Sequence, residues 1–238
     1  MALRPLCVLI AGDPVQRVLE RRGGWSSLMR QAVGDAWGGA WLDVDARVEE
    51  LPNAQSLAGV IITGSSSSVT ERAAWMLRAE AWLRSAVERQ TPILGVCFGH
   101  QLLGQALGGR VDKNPRGREI GSVEVELLDG DPLLDAGIRP YLANATHVDS
   151  VVKLPEGTRV LARTELEPHA AVRFANNAYG VQFHPEIDRD VMRDYLEARR
   201  DRLAAEGLDT DALIAKASEA PAGRAALVRF VTELVRPA

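Results

Sequence analysis

The chain has 238 residues, 46% of them apolar and 25% charged, and a formal net charge of −4. That length and apolar share suffice for a full hydrophobic core in one α/β-sized domain, while the slight acidity without any Lys/Arg run gives no footprint for nucleic acid or an anionic membrane surface. Two cysteines argue against a disulfide framework, no apolar stretch reaches membrane-spanning length, and the first apolar run is too brief for a signal sequence, so a cytoplasmic protein is expected.

Residues 6–11 are apolar without interruption, as in a strand covered on both faces, and Gly12-Asp13-Pro14 turns the chain, with Asp13 read as a turn residue. After the Gly23-Gly24 break, residues 25–37 read as a helix with Leu28, Met29, Ala32 and Val33 on one face. Residues 41–46 and 58–63 read as the next strands. The loop 63–70 holds four serines in a row, the composition of a flexible linker, yet it lies at a strand's carboxyl end, where parallel sheets bind ligands. Residues 70–90 then form an amphipathic helix in which Trp75 and Trp82 are core residues.

The next stretch carries the chemistry. Residues 92–96 read as a short buried strand, and 101–107 as a helix stopped by Gly108-Gly109. Cys97 sits at the junction between Gly95 and Gly99, the arrangement of a nucleophile elbow with Cys in place of Ser. Such a turn holds the side chain exposed in a strained conformation, and the following helix aims its positive dipole end at the sulfur, favouring thiolate. A small buried Cys packed between strand and helix is the alternative. Gln101, one turn on, faces the same side as Cys97, whereas His100, a direct chain neighbour, points elsewhere and reads as structural.

Beyond Gly109, residues 110–128 look like β-structure carrying residues 116–121 in a loop, and residues 157–183 give three more short strands. His147 and Asp149 have the spacing of a metal pair, but no further His/Cys cluster joins them, so no metal site is expected. Residues 179–183 end in His184-Pro185-Glu186. Residues two apart on an extended chain project to one side, so Glu186 lies beside the His184 ring, fixing its tautomer and stabilising an imidazolium. Residues 188–238 are helical by pattern.

The segments GVCFGHQ around Cys97 and GVQFHPE around His184 resemble the signature pair of class I (triad) glutamine amidotransferases. The likeness is strongest with the glutaminase domain of GMP synthetase and the free-standing proteins resembling it, and it spans roughly residues 58–187. It implies an α/β fold with an open mixed, largely parallel, flavodoxin-like sheet flanked by helices, and a smaller antiparallel sheet lining the glutamine pocket. One such domain is expected over residues 1–190, and the helical tail, 191–238, lies beyond the family core and is expected to pack on it as an extension. Carried over residue by residue, Cys97 attacks the γ-carboxamide, His184 serves as general base and then acid, and Glu186 orients it. Backbone N–H groups of Gly64 and Phe98 would form the oxyanion hole, Gln101 would hold substrate, and the backbone at His147 and Val148 would contact the glutamine α-amino-acid group. The family loop at Gly64 usually ends in proline, and Thr63-Gly64-Ser65-Ser66 lacks it. No cofactor and no metal is implied.

The substrate expected is glutamine or a γ-glutamyl compound, and the partner a separate ammonia-accepting synthetase, because no P-loop or nucleotide-binding Ser-Gly-Gly stretch follows the glutaminase region. A homodimer contact is another role open to the C-terminal helices. Two other functions stay open: a γ-glutamyl peptidase using the same triad, and a non-catalytic partner-binding subunit, against which the intact Cys97, His184 and Glu186 speak.

Overall fold

The apolar runs near residues 6, 59 and 93 can face water on neither side, and in the computed structural model of the chain they become the middle of one sheet. Residues 4–134 and 137–235 are described, and the end of the expected helical tail, 236–238, lies outside them. The first four strands are β1 (Leu6–Ile10), β2 (Trp41–Asp45), β3 (Gly59–Ile62) and β4 (Ile93–Val96). Then come β5 (Arg110–Lys113), β6 (Glu119–Glu124), β7 (Glu126–Leu127), β8 (Leu142–His147) and β9 (Asp149–Lys153). The last three are β10 (Arg159–Arg163), β11 (Ala171–Ala175) and β12 (Ala178–Val181).

Eight of them form the main sheet in the order β2-β1-β3-β4-β12-β11-β10-β7. The first five in that order pair in parallel, and the rest alternate antiparallel. The sheet is therefore mixed and largely parallel, as expected. The three strands expected in 157–183 extend the main sheet through the β11–β12 pairing. The smaller antiparallel elements are two ribbons, β5 with β9 and β6 with β8.

Period-two alternation sorts the central side chains between two cores. Leu6, Ile61, Leu94 and Val96 meet α2 (Trp25–Val33) and the helix Pro221–Arg229 on one face. Cys7, Leu9, Val60, Ile62 and Ile93 meet α3 (Ala74–Glu88) and α4 (Phe98–Ala106) on the other. Trp75 and Trp82 are partly buried against this second core, and the Trp82 indole donates to the Pro52 carbonyl at 2.7 Å. A third cluster joins Trp25 and Val18 to α5 (Arg189–Ala198) and α6 (Arg200–Ala205). Among the described residues, no helix is long and apolar enough to cross a membrane.

Three helical features depart from the expected pattern. A short helix, α1 (Gln16–Arg22), has only Val18 buried and hence no apolar stripe to betray it; ion pairs of Arg17 and Arg21 with the buried Asp194 fasten it to α5. The helix expected from residue 70 begins only at Ala74, because a Ser68/Glu71 capping box closes a 3-10 turn and Arg72 adopts φ 53°. The elbow helix starts earlier than expected, at Phe98.

At Gly99 the fold tolerates no side chain: a Cβ there would stand 2.4 Å from the Ile62 carbonyl oxygen. Overpacking of this kind costs about 1–3 kcal/mol or more. Gly99→Ala should therefore lower the thermal midpoint by about 2–12 °C, whereas Gly38→Ala, with nothing within 4 Å of the added carbon, should leave it nearly unchanged. Thermal unfolding followed by circular dichroism checks both.

Candidate active site

Strands β4 and β12 are parallel neighbours, with Val96 opposite Val181. The chain leaves both strands at the same edge, the carboxyl end of the sheet, where open α/β sheets bind ligands. The Cys97 amide donates to the Val181 carbonyl at 2.9 Å, so the turn after β4 is fastened to β12 three residues before His184. Cys97 itself holds φ 51° and ψ −102°, a conformation that costs a non-glycine residue about 1–3 kcal/mol. The turn closes this tightly because a Cβ on Gly95 would lie 2.4 Å from the Gly99 carbonyl oxygen. The Cys97 carbonyl accepts the Gln101 amide at 3.1 Å, which places the sulfur-bearing residue at the amino end of α4.

His184 is anchored through its amide to the Asn144 carbonyl at 2.7 Å, and its Nδ1 meets Glu186 Oε1 at 2.7 Å. The indole of Trp25 stacks on the imidazole, with centroids 5.3 Å apart and 17° between the planes. Cys97, His184 and Glu186 are all buried; the sulfur is not exposed as the elbow predicts, because the walls of a small cavity close over it. Burial raises the Cys97 pKa, but the His184 charge and hydrogen bond, and then the His147 charge, outweigh it and bring the thiol below its usual value. The converse holds for His184: burial lowers its proton affinity, and Glu186 and Cys97 more than reverse that. Each group thus favours the charged form of the other, thiolate beside imidazolium. Cys7, by contrast, lies in the core with its thiol pushed up to about 12 by burial and by Asp43.

A second buried imidazole lies deeper. His147 Nδ1 is 3.0 Å from the Asp149 carbonyl and 3.9 Å from Glu167, and its Nε2 is 3.1 Å from Glu119. Both ring nitrogens therefore face acceptors, an arrangement that a ring with one N–H cannot satisfy. Burial lowers its proton affinity, but Glu119 foremost, with Cys97 and Glu167, raises it above the ordinary value. His147 thus adds positive charge behind Cys97.

The residues singled out in the sequence are not all on the reactive cavity. A cavity of about 210 Å³ lies over Cys97 and His184, walled by Trp25, Thr146, Tyr195 and Arg199, with Ser65 and Ser66 on the loop side. The Thr146 carbonyl lies 4.0 Å from the Cys97 sulfur. Gly64 abuts the imidazole, since a Cβ there would stand 2.8 Å from His184 Cε1, and Phe98 opens α4. Gln101 is turned away: its amide donates to the Asp149 carbonyl at 2.8 Å and to Gln182 at 3.1 Å. His147 also points off the cavity, because alternation along β8 puts Thr146 on it instead, and the Val148 carbonyl is occupied by the Asn114 amide at 2.8 Å. His100 is buried against Phe174.

Trp25, Tyr195 and Arg199 were not singled out in the sequence; the last two sit in a charged helical stretch with nothing to mark them. The serine loop is ordered without proline, through the Ser65 hydroxyl accepting the Ser67 amide at 3.1 Å and the Ser68 hydroxyl donating to Asp149 at 2.5 Å. A larger cavity, about 760 Å³, opens beside Arg4, Thr91 and Pro92 at the amino ends of the strands. It is at the wrong edge of the sheet for Cys97 and is not part of this site.

Comparison with known proteins agrees with this geometry. The family described as glutamine amidotransferase class-I matches residues 40–199. Over 158 residues the chain is 37% identical to the glutamine-hydrolysing GMP synthase of Aeropyrum pernix, covering 64% of this chain and 29% of that one. With the corresponding enzyme of Thermosipho melanesiensis it shares 39% over 144 residues, or 60% of this chain and 26% of that one. The chain thus spans less than a third of these relatives. A glutamine amidotransferase from Thermotoga maritima has the same fold, with a TM-score of 0.73 over 98% of both chains at 18% identity. The fold also matches one from Methylobacillus flagellatus, with a TM-score of 0.74 over 97% of this chain and 93% of that one at 19% identity. With the family match extending over well more than half of its length, this chain belongs to the class I glutamine amidotransferases.

Proposed function

We propose that the chain hydrolyses the γ-amide of glutamine through a γ-glutamyl thioester on Cys97 and passes the ammonia to a separate synthetase. The observation that carries this reading is the buried series of Cys97, His184 and Glu186 at the carboxyl edge of the sheet, with Nδ1 to Oε1 at 2.7 Å. In this mechanism the thiolate adds to the γ-carbonyl carbon, and the negative charge moves to its oxygen, which the backbone N–H groups of Phe98 and Gly64 stabilise; one such donor is worth roughly 3 kcal/mol. As the tetrahedral intermediate collapses, the C–N bond breaks, the His184 imidazolium gives its proton to nitrogen, and ammonia leaves. Neutral His184 then takes a proton from water, the hydroxide attacks the thioester, and glutamate departs with thiolate and imidazolium restored. Glu186 keeps one charge throughout and holds the ring in place.

Glutamine is favoured over a γ-glutamyl peptide because the matched relatives are glutamine-hydrolysing GMP synthases. An ammonia acceptor is supported by the matched relatives, which are GMP synthases and of which this chain spans 29% or less.

Purified protein should release ammonia and glutamate in equal amounts from glutamine, and Cys97→Ala should release neither; retained turnover in that variant overturns the assignment. His184→Ala should lower kcat by about 10²–10⁴-fold, measured as glutamate released per enzyme.

The charge pairing also has a pH signature. Because His184 depresses the Cys97 pKa, iodoacetamide should alkylate Cys97 well below pH 8.5, about where an ordinary thiol titrates, and leave Cys7 unmodified. Glu186→Gln removes the carboxylate that favours the imidazolium. The Glu186 charge raises the Cys97 pKa directly, but the His184 charge that it sustains lowers it by more, so the substitution should raise the Cys97 pKa on balance and shift the alkylation profile to higher pH; an unshifted profile would show that Glu186 does not tune the pair.

A further inference from the structure

One charged wall of the reactive cavity has no task in the chemistry described so far. Arg199 lies at the junction of α5 and α6, partly buried, and faces the same cavity as Cys97. Its guanidinium sits over the Tyr195 ring, 4.9 Å from the centroid, and donates to the Thr146 hydroxyl. No carboxylate neutralises it among the described residues. Its neighbours Arg200 and Arg202 take up Glu197, Asp211 and Glu206, and Arg118 also pairs with Glu206. Asp13, the carboxylate on the cavity wall, is held by Arg47 at 2.8 Å. Burial, with Arg118 and Arg202 close by, outweighs Tyr195 and Cys97 and lowers the proton affinity of Arg199, as befits a cation short of a counter-ion. A guanidinium presents a planar fork of donors matched to a carboxylate, and only part of it is engaged by Thr146.

We propose that Arg199 is the carboxylate anchor of the site, binding a free carboxylate of the substrate beside the γ-carbonyl that meets Cys97. This rests on the glutaminase reading and sharpens it: the substrates are γ-glutamyl compounds whose carboxylate is unblocked. A carboxylate reaches the cavity in two ways, as the α-carboxylate of the glutamyl unit or as the carboxyl end of a peptide leaving group.

Alkylation of Cys97 by iodoacetate and by iodoacetamide tests the anchor without any turnover, since the two reagents are of similar size and differ in one negative charge. The iodoacetate-to-iodoacetamide rate ratio should fall about tenfold in Arg199→Gln, the loss expected for one charge-assisted pair; both reagents attack the same thiolate, so any change that the lost Arg199 charge makes in the Cys97 thiolate population cancels in the ratio. If Arg199→Gln does not fold, Arg199→Met, which keeps the stem on Tyr195, carries the same measurement. An unchanged ratio overturns the anchor even where glutamine is hydrolysed; a changed ratio without glutamine hydrolysis overturns the glutaminase reading and leaves the anchor standing. With turnover, Arg199→Gln should raise KM for glutamine and leave kcat nearly unchanged. Glutamine α-amide set against glutamine, and γ-glutamylglycinamide set against γ-glutamylglycine, identify which carboxylate is held.

Discussion

The register of two parallel strands underlies everything the site does. With Val181 opposite Val96, the ends of β4 and β12 are level, and the Cys97 amide reaches the Val181 carbonyl at 2.9 Å. Both strands are fully buried, so a slip by one residue would carry apolar side chains to the wrong core and is strongly resisted. The strain at Cys97, about 1–3 kcal/mol, is comparable to the roughly 1.5–3 kcal/mol gained on burying a single Leu or Val of the central strands. A sheet with several such residues holds the elbow in place easily.

On that frame stands a row of buried charges of alternating sign: Glu186, His184, Cys97, then His147 with Glu119 and Glu167. Buried ion pairs are poor sources of stability, since desolvation consumes most of the attraction. Their effect here is on proton affinity. His147 does not touch the cavity, yet its positive charge helps to lower the Cys97 pKa. The same alternation along β8 that turns His147 inward brings Thr146 to the cavity, so one strand supplies a charge behind the sulfur and a wall beside it.

Much of this was legible in the sequence, and the exceptions share physical causes. The strands at 6, 41, 59 and 93 are apolar runs with clear ends, and the elbow and the His184-Pro185-Glu186 terminus are local patterns that spacing alone reveals. The α1 helix was hidden because ion pairs rather than an apolar stripe hold it. Strands β8 and β9 went unread because their residues belong to short ribbons whose partners lie far away in the chain. That β10 to β12 join the main sheet was not visible either, since alternation tells which face is buried and not which strand is the neighbour. Gln101 sits one turn from Cys97 as its spacing requires, but the Asp149 carbonyl and Gln182 claim its amide. Tyr195 and Arg199 reach the cavity through the packing of α5 around Trp25, a tertiary fact without a local signature.

The parallel crossover also dictates an order of events in time. Cys97 leaves the ribosome 87 residues ahead of His184, an interval of roughly 4–17 s at ordinary synthesis speeds. Until β12 docks beside β4, the cysteine has no imidazolium partner and behaves as an ordinary thiol. On the proposed mechanism the nascent chain is therefore chemically quiet while it is exposed, and the Cys97 thiol gains its charged partner only as the finished sheet closes around it.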